Sequence, residues 1–388
     1  MLKAFEAAFS RCGYTSPNPP VGAVVVKDGR IISSGGTQFC GGDHAEVCAI
    51  NSAGGDADGA ELYVTLEPCS HYGKTPPCTD KIISSGIKRV YLPILDSNPK
   101  VSGNGVRILR DNGIEVIIVE EFKDYAIDMY RSFFTLINKK RSYLIHKSAV
   151  TLDGFIADAN GSSKWISNEI SRYISHRLRA VNDAVIIGKN TLLADNPSLD
   201  VRLNDFNVDG FNFDNAAFIG YQNRVLKSLF SNNDICSTNP LRVVVGFSEK
   251  YNRNMNFFRD SNYIIYETKE YGTELFSELI KLGRIRILPE NNYFENILHD
   301  LASMGIMNTM LEGGGRVSGG FMNDNLIDEE YLFITPKIFI DGKKVFAGNI
   351  SFDTESCKKL YDVSSCSLNG DLLYHSYYKK RSDVYGNY

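Results

Sequence analysis

His44, Glu46, Cys69 and Cys78 are the residues whose types and spacing most plainly point to chemistry. They supply one imidazole, one carboxylate and two thiols. Zinc takes nitrogen and sulfur donors readily, and a hydrolytic site keeps its fourth position for water. Bound zinc lowers the pKa of that water toward neutrality. Glu46 lies two residues past His44, at the start of the apolar run Ala45, Val47, Cys48, Ala49, Ile50. Residues two apart do not share a face of a helix. The carboxylate is therefore expected beside the metal without ligating it, where it can carry protons. His-x-Glu alone is common and carries little weight. A structural zinc site would instead close the fourth position with a protein donor, and His71 is the residue that could do so.

The joint pattern is more specific than its parts. His44-Ala45-Glu46 is followed by the strand-like Glu61-Leu62-Tyr63-Val64-Thr65, then by Glu67-Pro68-Cys69 and Cys78. An H-x-E with a later P-C and a further Cys is the signature of zinc-dependent deaminases, in which the Glu is general acid/base and a heterocyclic amino group is replaced by oxygen. Nucleic-acid editors carry P-C-x-x-C. Here the stretch Ser70 to Pro77 separates the two cysteines. It brings His71, Lys74 and hydroxyl groups to the rim of the metal site, and such groups suit a phosphate or a polar sugar.

The elements that position these residues alternate between helix and strand periods. Helices are expected at Leu2 to Cys12, from near His44, at Thr79 to Ser85, at Gly105 to Asn112 with Gly113 as its stop, and at Phe122 to Ile137. Strands are expected at Gly22 to Val26 and Ile31 to Ser33, joined by an Asp28-Gly29 turn, and at Leu62 to Leu66, Arg89 to Leu95 and Ile114 to Val119. The basic break Asn138-Lys139-Lys140-Arg141-Ser142 marks a boundary between domains at 1–140 and 143–388. Beyond it, strands are expected at Tyr143 to Ala149, Ala184 to Ile187, Arg242 to Val245, Tyr263 to Ile265, Ile285 to Leu288 and Met307 to Leu311. Helices are expected at Ile170 to Ala180 and Phe294 to Met304. The Asn-, Asp- and Phe-rich segment Asn204 to Pro240 is poorly periodic and reads as a loop-rich excursion.

Composition narrows the class. A chain of 388 residues is comfortable for two cores. The net charge of −4 argues against general nucleic-acid binding. No apolar stretch approaches the ~20 residues of a membrane-spanning helix, and the first residues lack a signal-peptide core. A cytoplasmic chain is expected. The 8 cysteines are scattered, and reduced thiols suit them better than a disulfide framework.

A second set of motifs lies in the other half: Lys147 to Gly154, Gly161 to Ser167, Gly188 to Pro197, and Leu311-Glu312-Gly313-Gly314-Gly315. Each is weak alone. Leu-Asp-Gly can be a simple turn, and Trp165 more often marks a core than a cofactor contact. Strand Met307 to Leu311 runs into glycines and then a helix-like segment from Phe321, and free N–H groups at a helix start attract phosphate. The glycines fit no G-x-G-x-x-G register, so a Rossmann nucleotide site is not supported.

The run Glu67 to Cys78, the earlier Ser16-Pro17-Asn18-Pro19-Pro20-Val21-Gly22 and the later motifs, in that order, together resemble the bifunctional deaminase/reductase family of riboflavin biosynthesis (RibD, or RibG) over nearly the whole chain. The resemblance implies an α/β protein: a cytidine-deaminase-like three-layer α/β/α domain followed by a dihydrofolate-reductase-like α/β domain. It implies zinc on His44, Cys69 and Cys78, Glu46 as proton carrier, and Asn18, His71 and Lys74 at a phosphoribosyl pyrimidine substrate. In the second half it implies NADPH at Ala149, Trp165, Thr191, Asp195 and the stretch Gly314, Gly315, Arg316, Val317, Ser318, Gly319, Gly320. It places substrate at Ser163, Arg179, Leu199, Arg202 and Glu312, with Lys147 and Asp195 as polar catalytic residues. Its partners are small molecules, without nucleic acid or membrane, and a homo-oligomer is compatible with it. Two rivals remain: a single-function nucleoside or nucleotide deaminase with an inactive second half, and a non-catalytic zinc-binding interaction protein.

Overall fold

The computed structural model describes residues 1–98, 102–208, 211, 218–220, 239–348 and 352–385. Most of the Asn204–Pro240 excursion, Cys236 included, lies outside them. The chain divides into two compact units, the first built on Met1–Lys140 together with the last described helix. In chain order this unit holds α1 (Leu2–Phe9), β1 (Gly22–Lys27), β2 (Arg30–Gly36), α2 (Ala45–Ala53), β3 (Glu61–Val64), α3 (Cys78–Ser84), β4 (Arg89–Leu92), α4 (Asn104–Asp111), β5 (Glu115–Ile118) and α5 (Lys123–Lys139). Its sheet runs β2-β1-β3-β4-β5. β1 is antiparallel to β2 and β3, and β3, β4 and β5 are parallel.

Local chemistry explains this layout. Asp28 and Gly29 both take positive φ (51° and 75°), as the tight turn between β1 and β2 requires. Successive strand residues face opposite sides of a sheet, and both sides are covered. A Cβ at Gly22 would stand 1.9 Å from the Ala4 carbonyl oxygen in α1, while one at Gly35 would stand 2.5 Å from the Ala49 nitrogen in α2. Gly35 pairs with Ala23, the neighbour of Gly22, so the two helices lie on opposite faces. The sheet between them makes three layers. The buried Ala4, Phe5, Ala8 and Phe9 form the apolar stripe of α1. The basic break at Asn138 begins inside the last turn of α5, which ends with Lys140 in the left-handed region.

The second unit contains β6 (Tyr143–Thr151), β7 (Phe155–Asp158), α6 (Glu169–Ala180), β8 (Ala184–Gly188), α7 (Lys189–Asp195), β9 (Phe218–Gly220), β10 (Leu241–Val245), β11 (Tyr263–Glu267), α8 (Glu274–Lys281), β12 (Ile285–Ile287), α9 (Tyr293–Ser303), β13 (Asn308–Leu311), α10 (Gly315–Asn323), β14 (Glu329–Thr335), β15 (Gly342–Lys344), β16 (Tyr361–Leu368) and β17 (Asp371–Tyr377). The chain then returns to the first unit through α11 (Arg381–Tyr385). There Arg381 is ion-paired with Asp128 of α5 at 2.9 Å.

Among the described residues the main sheet of the second unit runs β12-β11-β10-β8-β13-β6-β14-β17-β16-β9. It is parallel from β12 to β14 and antiparallel beyond. Leu144, Ile186, Val243, Leu301, Leu311 and Phe321 belong to its core. The starts of β6 and β14 are joined by a buried fork: Arg141 donates to both Asp328 oxygens at 2.7 Å, and Leu144 N–H adds a bond at 3.0 Å. Burial would raise the Asp328 carboxyl, but Arg141 and Lys379 outweigh it and hold it well below the usual range.

One expectation needs correction here. The helix after β13 starts at Gly315, not near Phe321. Gly313 and Gly314, at φ 97° and 82°, make the turn at once, and packing of Phe321 into the core overrides the poor helix propensity of glycine. Trp165, expected at the cofactor, is 67% exposed, with the Arg172 guanidinium 4.8 Å from its ring centre.

Candidate active sites

The end of β3 and the starts of α2 and α3 converge in the first unit. His44 is the N-cap of α2, in extended conformation, and Cys78 is the first residue of α3. His44 Nδ1 lies 3.5 Å from Cys69 Sγ and 3.3 Å from Cys78 Sγ, and all three donor atoms fall within 4.8 Å of one another. A tetrahedral zinc with its usual bond lengths separates nitrogen from sulfur by roughly 3.5 Å, so the donor set fits that ion. Among the described residues the cluster holds these three donors and no fourth. His71, the residue that could have closed the site, is exposed and outside it.

The first-turn carboxylate and the sulfurs are electrostatically coupled. Glu46 is 3% exposed. Burial, reinforced by the Cys69 sulfur, pushes its carboxyl up to about 7. The hydrogen bond from the Cys78 thiol lowers Cys69, and the same contact together with burial raises Cys78. The backbone N–H of Cys78 also points at Cys69 Sγ, at 3.3 Å. The His44 ring is held by its sulfur contact on one side and by Thr75 Oγ1 at 3.5 Å from Nε2 on the other. Metal binding requires deprotonated sulfurs and a neutral imidazole, so an ion here displaces protons that Cys78 and His44 hold more tightly than usual.

Of the other expected residues, Lys74 extends along the exposed rim to within 3.3 Å of Cys40 Sγ. Asn18 sits half-buried in the turn closed by Thr15 just before β1. Sequence reasoning passed over Glu67. This buried carboxylate accepts from the N–H groups of Asp96 and Gly103 at 3.0 Å, of Gly105 at 2.9 Å and of Val106 at 3.3 Å. It ties the segment just before Cys69 to the start of α4. Its only sequence signal was a carboxylate immediately before Pro68-Cys69.

In the second unit a polar cluster gathers at the carboxyl ends of the parallel strands, where ligands bind in open α/β sheets. Lys147 and Ala149 share one side of β6. Glu312 follows β13 directly, and Arg179 reaches it from α6 at 2.7 Å. Arg179 also donates to the Asp200 carbonyl. Burial lowers the Lys147 ammonium, although Glu312 opposes it. Burial would raise Glu312, but Arg179 and Lys147 overcome it and lower its carboxyl. Glu312 Oε1 and Arg179 Nε are buried without a hydrogen-bond partner among the described residues. Buried polar atoms normally find one, so a polar ligand suits the place. Leu199 is buried nearby at φ 54°, and the half-exposed Arg202 lies 3.5 Å from Asp200 and 3.6 Å from Asp205.

The residues expected at a dinucleotide are spread more widely. Thr191 stands beside Gly314 at the mouth of α10: a Cβ there would be 3.1 Å from Thr191 Oγ1. The first intrahelical bonds run from Val317 and Ser318 N–H to the Gly314 carbonyl. The N–H groups of Gly315 and Arg316 therefore precede them, as donors for a phosphate. Ser318 and Gly319, in contrast, are buried. Ser318 Oγ is hydrogen-bonded to His146 Nε2 at 3.1 Å, and Gly320 packs against Phe294. Asp195 lies at the surface end of α7, where partial desolvation of its carboxyl raises it and Lys164 counters. Ser163 lies in the Ser163–Ile166 turn that leads into α6.

Comparison with known proteins covers both halves. Residues 1–93 match the cytidine and deoxycytidylate deaminase zinc-binding region, and residues 142–374 match the RibD C-terminal domain. The riboflavin biosynthesis protein RibD of Aquifex aeolicus is 39% identical over 92% of each chain, and that of Bacillus amyloliquefaciens 35% identical over 88% of this chain and 85% of its own. A crystal structure from Thermotoga maritima superposes with a TM-score of 0.78, at 35% identity over 97% of each chain. It is described as a diaminohydroxyphosphoribosylaminopyrimidine deaminase/5-amino-6-(5-phosphoribosylamino)uracil reductase. Fold and sites thus define a zinc-dependent deaminase of the cytidine-deaminase class joined to an NADPH-dependent reductase. The chain belongs to the RibD family of bifunctional riboflavin-biosynthesis enzymes.

Proposed function

We propose that the chain carries out two successive reactions on one small-molecule substrate. The first is hydrolytic deamination of 2,5-diamino-6-(5-phosphoribosylamino)pyrimidin-4(3H)-one. The second is reduction of the ribosyl group, giving 5-amino-6-(5-phosphoribitylamino)uracil. The convergence of His44, Cys69 and Cys78 on one point beside buried Glu46 carries this reading.

Zinc on His44, Cys69 and Cys78 supplies a water acidic enough to act as nucleophile near neutral pH. The Glu46 carboxylate takes a proton as water adds to the amino-bearing ring carbon, and returns it to the nitrogen that leaves as ammonia. Asn18, His71 and Lys74 hold the pyrimidine and its phosphate at the rim.

NADPH, bound at Ala149, Trp165, Thr191, Asp195 and the mouth of α10, supplies hydride for the second reaction. Reduction at the sugar carbon also needs a proton, and Lys147, electrostatically coupled to Glu312, gives it. Arg179 and Glu312 orient the opened sugar, and Arg202 pairs with its phosphate, since guanidinium matches phosphate oxygens. The enzyme works in the cytoplasm, without nucleic acid or membrane. Among the described residues no helix is long and apolar enough to cross one.

The test is to supply the diaminopyrimidinone phosphate and follow ammonia release and NADPH loss separately. A chelator should abolish the first and spare reduction of supplied deaminated intermediate. Ammonia release with no NADPH oxidation under any condition would favour the single-function deaminase instead.

A further inference from the structure

The segment Leu199–Arg202 lies between α7 and the Leu203–Asp205 turn and has no regular structure. Its backbone must find partners elsewhere, and side chains supply them. The Asp200 carbonyl accepts from Arg179. The Val201 N–H donates to Asn239 Oδ1 at 2.9 Å. The Arg202 N–H donates to His176 Nδ1 at 3.0 Å. His176 and Arg179 are one turn apart on α6 and face the same way. Together they clamp the segment at two successive points.

From this geometry we infer that His176 is a positioning residue for substrate phosphate: its ring nitrogen fixes the backbone from which Arg202 reaches out. The inference rests on the reading that Arg202 holds the phosphate. An imidazole can accept at Nδ1 only when neutral, with its proton on Nε2. The surroundings enforce that form. His176 is 6% exposed, its ring lies 4.9 Å from that of Phe206, and burial together with the Arg179 charge lowers its pKa to about 3. It neither titrates near neutral pH nor offers a charge to substrate. Its contribution is an acceptor at a fixed point. Arg202, by contrast, is half-exposed and loosely held by Asp200 and Asp205, so its side chain can turn to a ligand while its Cα stays in place.

The test uses the full-length, zinc-loaded enzyme. His176→Leu removes the acceptor. His176→Asn keeps an amide oxygen close to the Nδ1 position. KM in the reductase assay is measured for the deaminated intermediate and for the same compound lacking its phosphate. His176→Leu should raise KM for the phosphorylated compound about tenfold, the scale of one lost buried hydrogen bond. KM for the dephosphorylated compound, KM for NADPH and ammonia release should all stay within about twofold. His176→Asn should recover most of the loss. Equal rises for both compounds, a parallel rise for NADPH, or an Asn variant no better than Leu would overturn the inference. An Arg202→Ala arm separates the two readings. If that variant leaves KM for the phosphorylated compound unchanged, the phosphate role of Arg202 fails. If it raises KM while His176→Leu does not, only the role of His176 fails.

Discussion

Glu46→Gln tests proton transfer in the deaminase half with the least disturbance. The side chain keeps its shape and one acceptor oxygen in a pocket that leaves Glu46 3% exposed, so the fold and the three donors should stay. What disappears is a carboxyl pushed up to about 7 by burial and by the Cys69 sulfur. The substitution removes the one group beside the donors, among the described residues, that can take and return a proton within one turnover. A positioned acid/base is worth about 10²- to 10⁴-fold, or roughly 3–5 kcal/mol of barrier at 1.36 kcal/mol per decade. The turnover number for ammonia release should fall by that factor in a variant whose measured zinc content matches the native enzyme. NADPH oxidation on deaminated intermediate, run on the same preparation, should not change. A zinc-replete variant releasing ammonia within about tenfold of the native rate would refute the reasoning, because no acid/base role of ordinary size would then be left for this carboxylate.

Lys147→Gln should lower the reductase turnover number by about 10²- to 10⁴-fold and leave ammonia release untouched; an unchanged rate of NADPH oxidation would remove Lys147 as proton donor. Asp328→Asn should cost the reductase unit about 3–5 kcal/mol in urea unfolding, since it leaves Arg141 buried without its counter-charge. The pH dependence has a definite sign. Asp328 is held below its usual range, so its stabilisation is complete above about pH 4, the pKa in the unfolded chain, and is lost as pH falls toward its folded value. The native protein should therefore lose stability on acidification below about pH 4 more steeply than Asp328→Asn, and matching acid slopes would contradict the assignment.

How much of this was legible depended on whether a residue acts through its own type or through its surroundings. His44, Cys69 and Cys78 could be found because few side chains bind zinc and their spacing is characteristic. The parallel strands of the second unit were legible as apolar runs, as in β8 and β10. β14 and β17 were not, because their buried faces carry Glu329, Glu330, Asp371 and His375. Pairs such as His146–Glu330 at 2.8 Å and His375–Glu329 at 2.7 Å let polar residues enter the core, and the hydrophobic period is lost. The start of α10 was hidden by its glycines. Glu67 and His176 were invisible for another reason: each acts on backbone groups of a distant segment, 29 to 39 residues away for Glu67 and 26 for His176, and nothing in the local pattern announces those partners.

X-ray absorption at the zinc edge of the purified full-length enzyme tests the central claim most directly. The account predicts two sulfurs at about 2.3 Å and one imidazole nitrogen at about 2.0 Å, with a single exchangeable oxygen completing the tetrahedron. A second imidazole or a third sulfur in the fourth position, or a protein that binds no zinc, would contradict it.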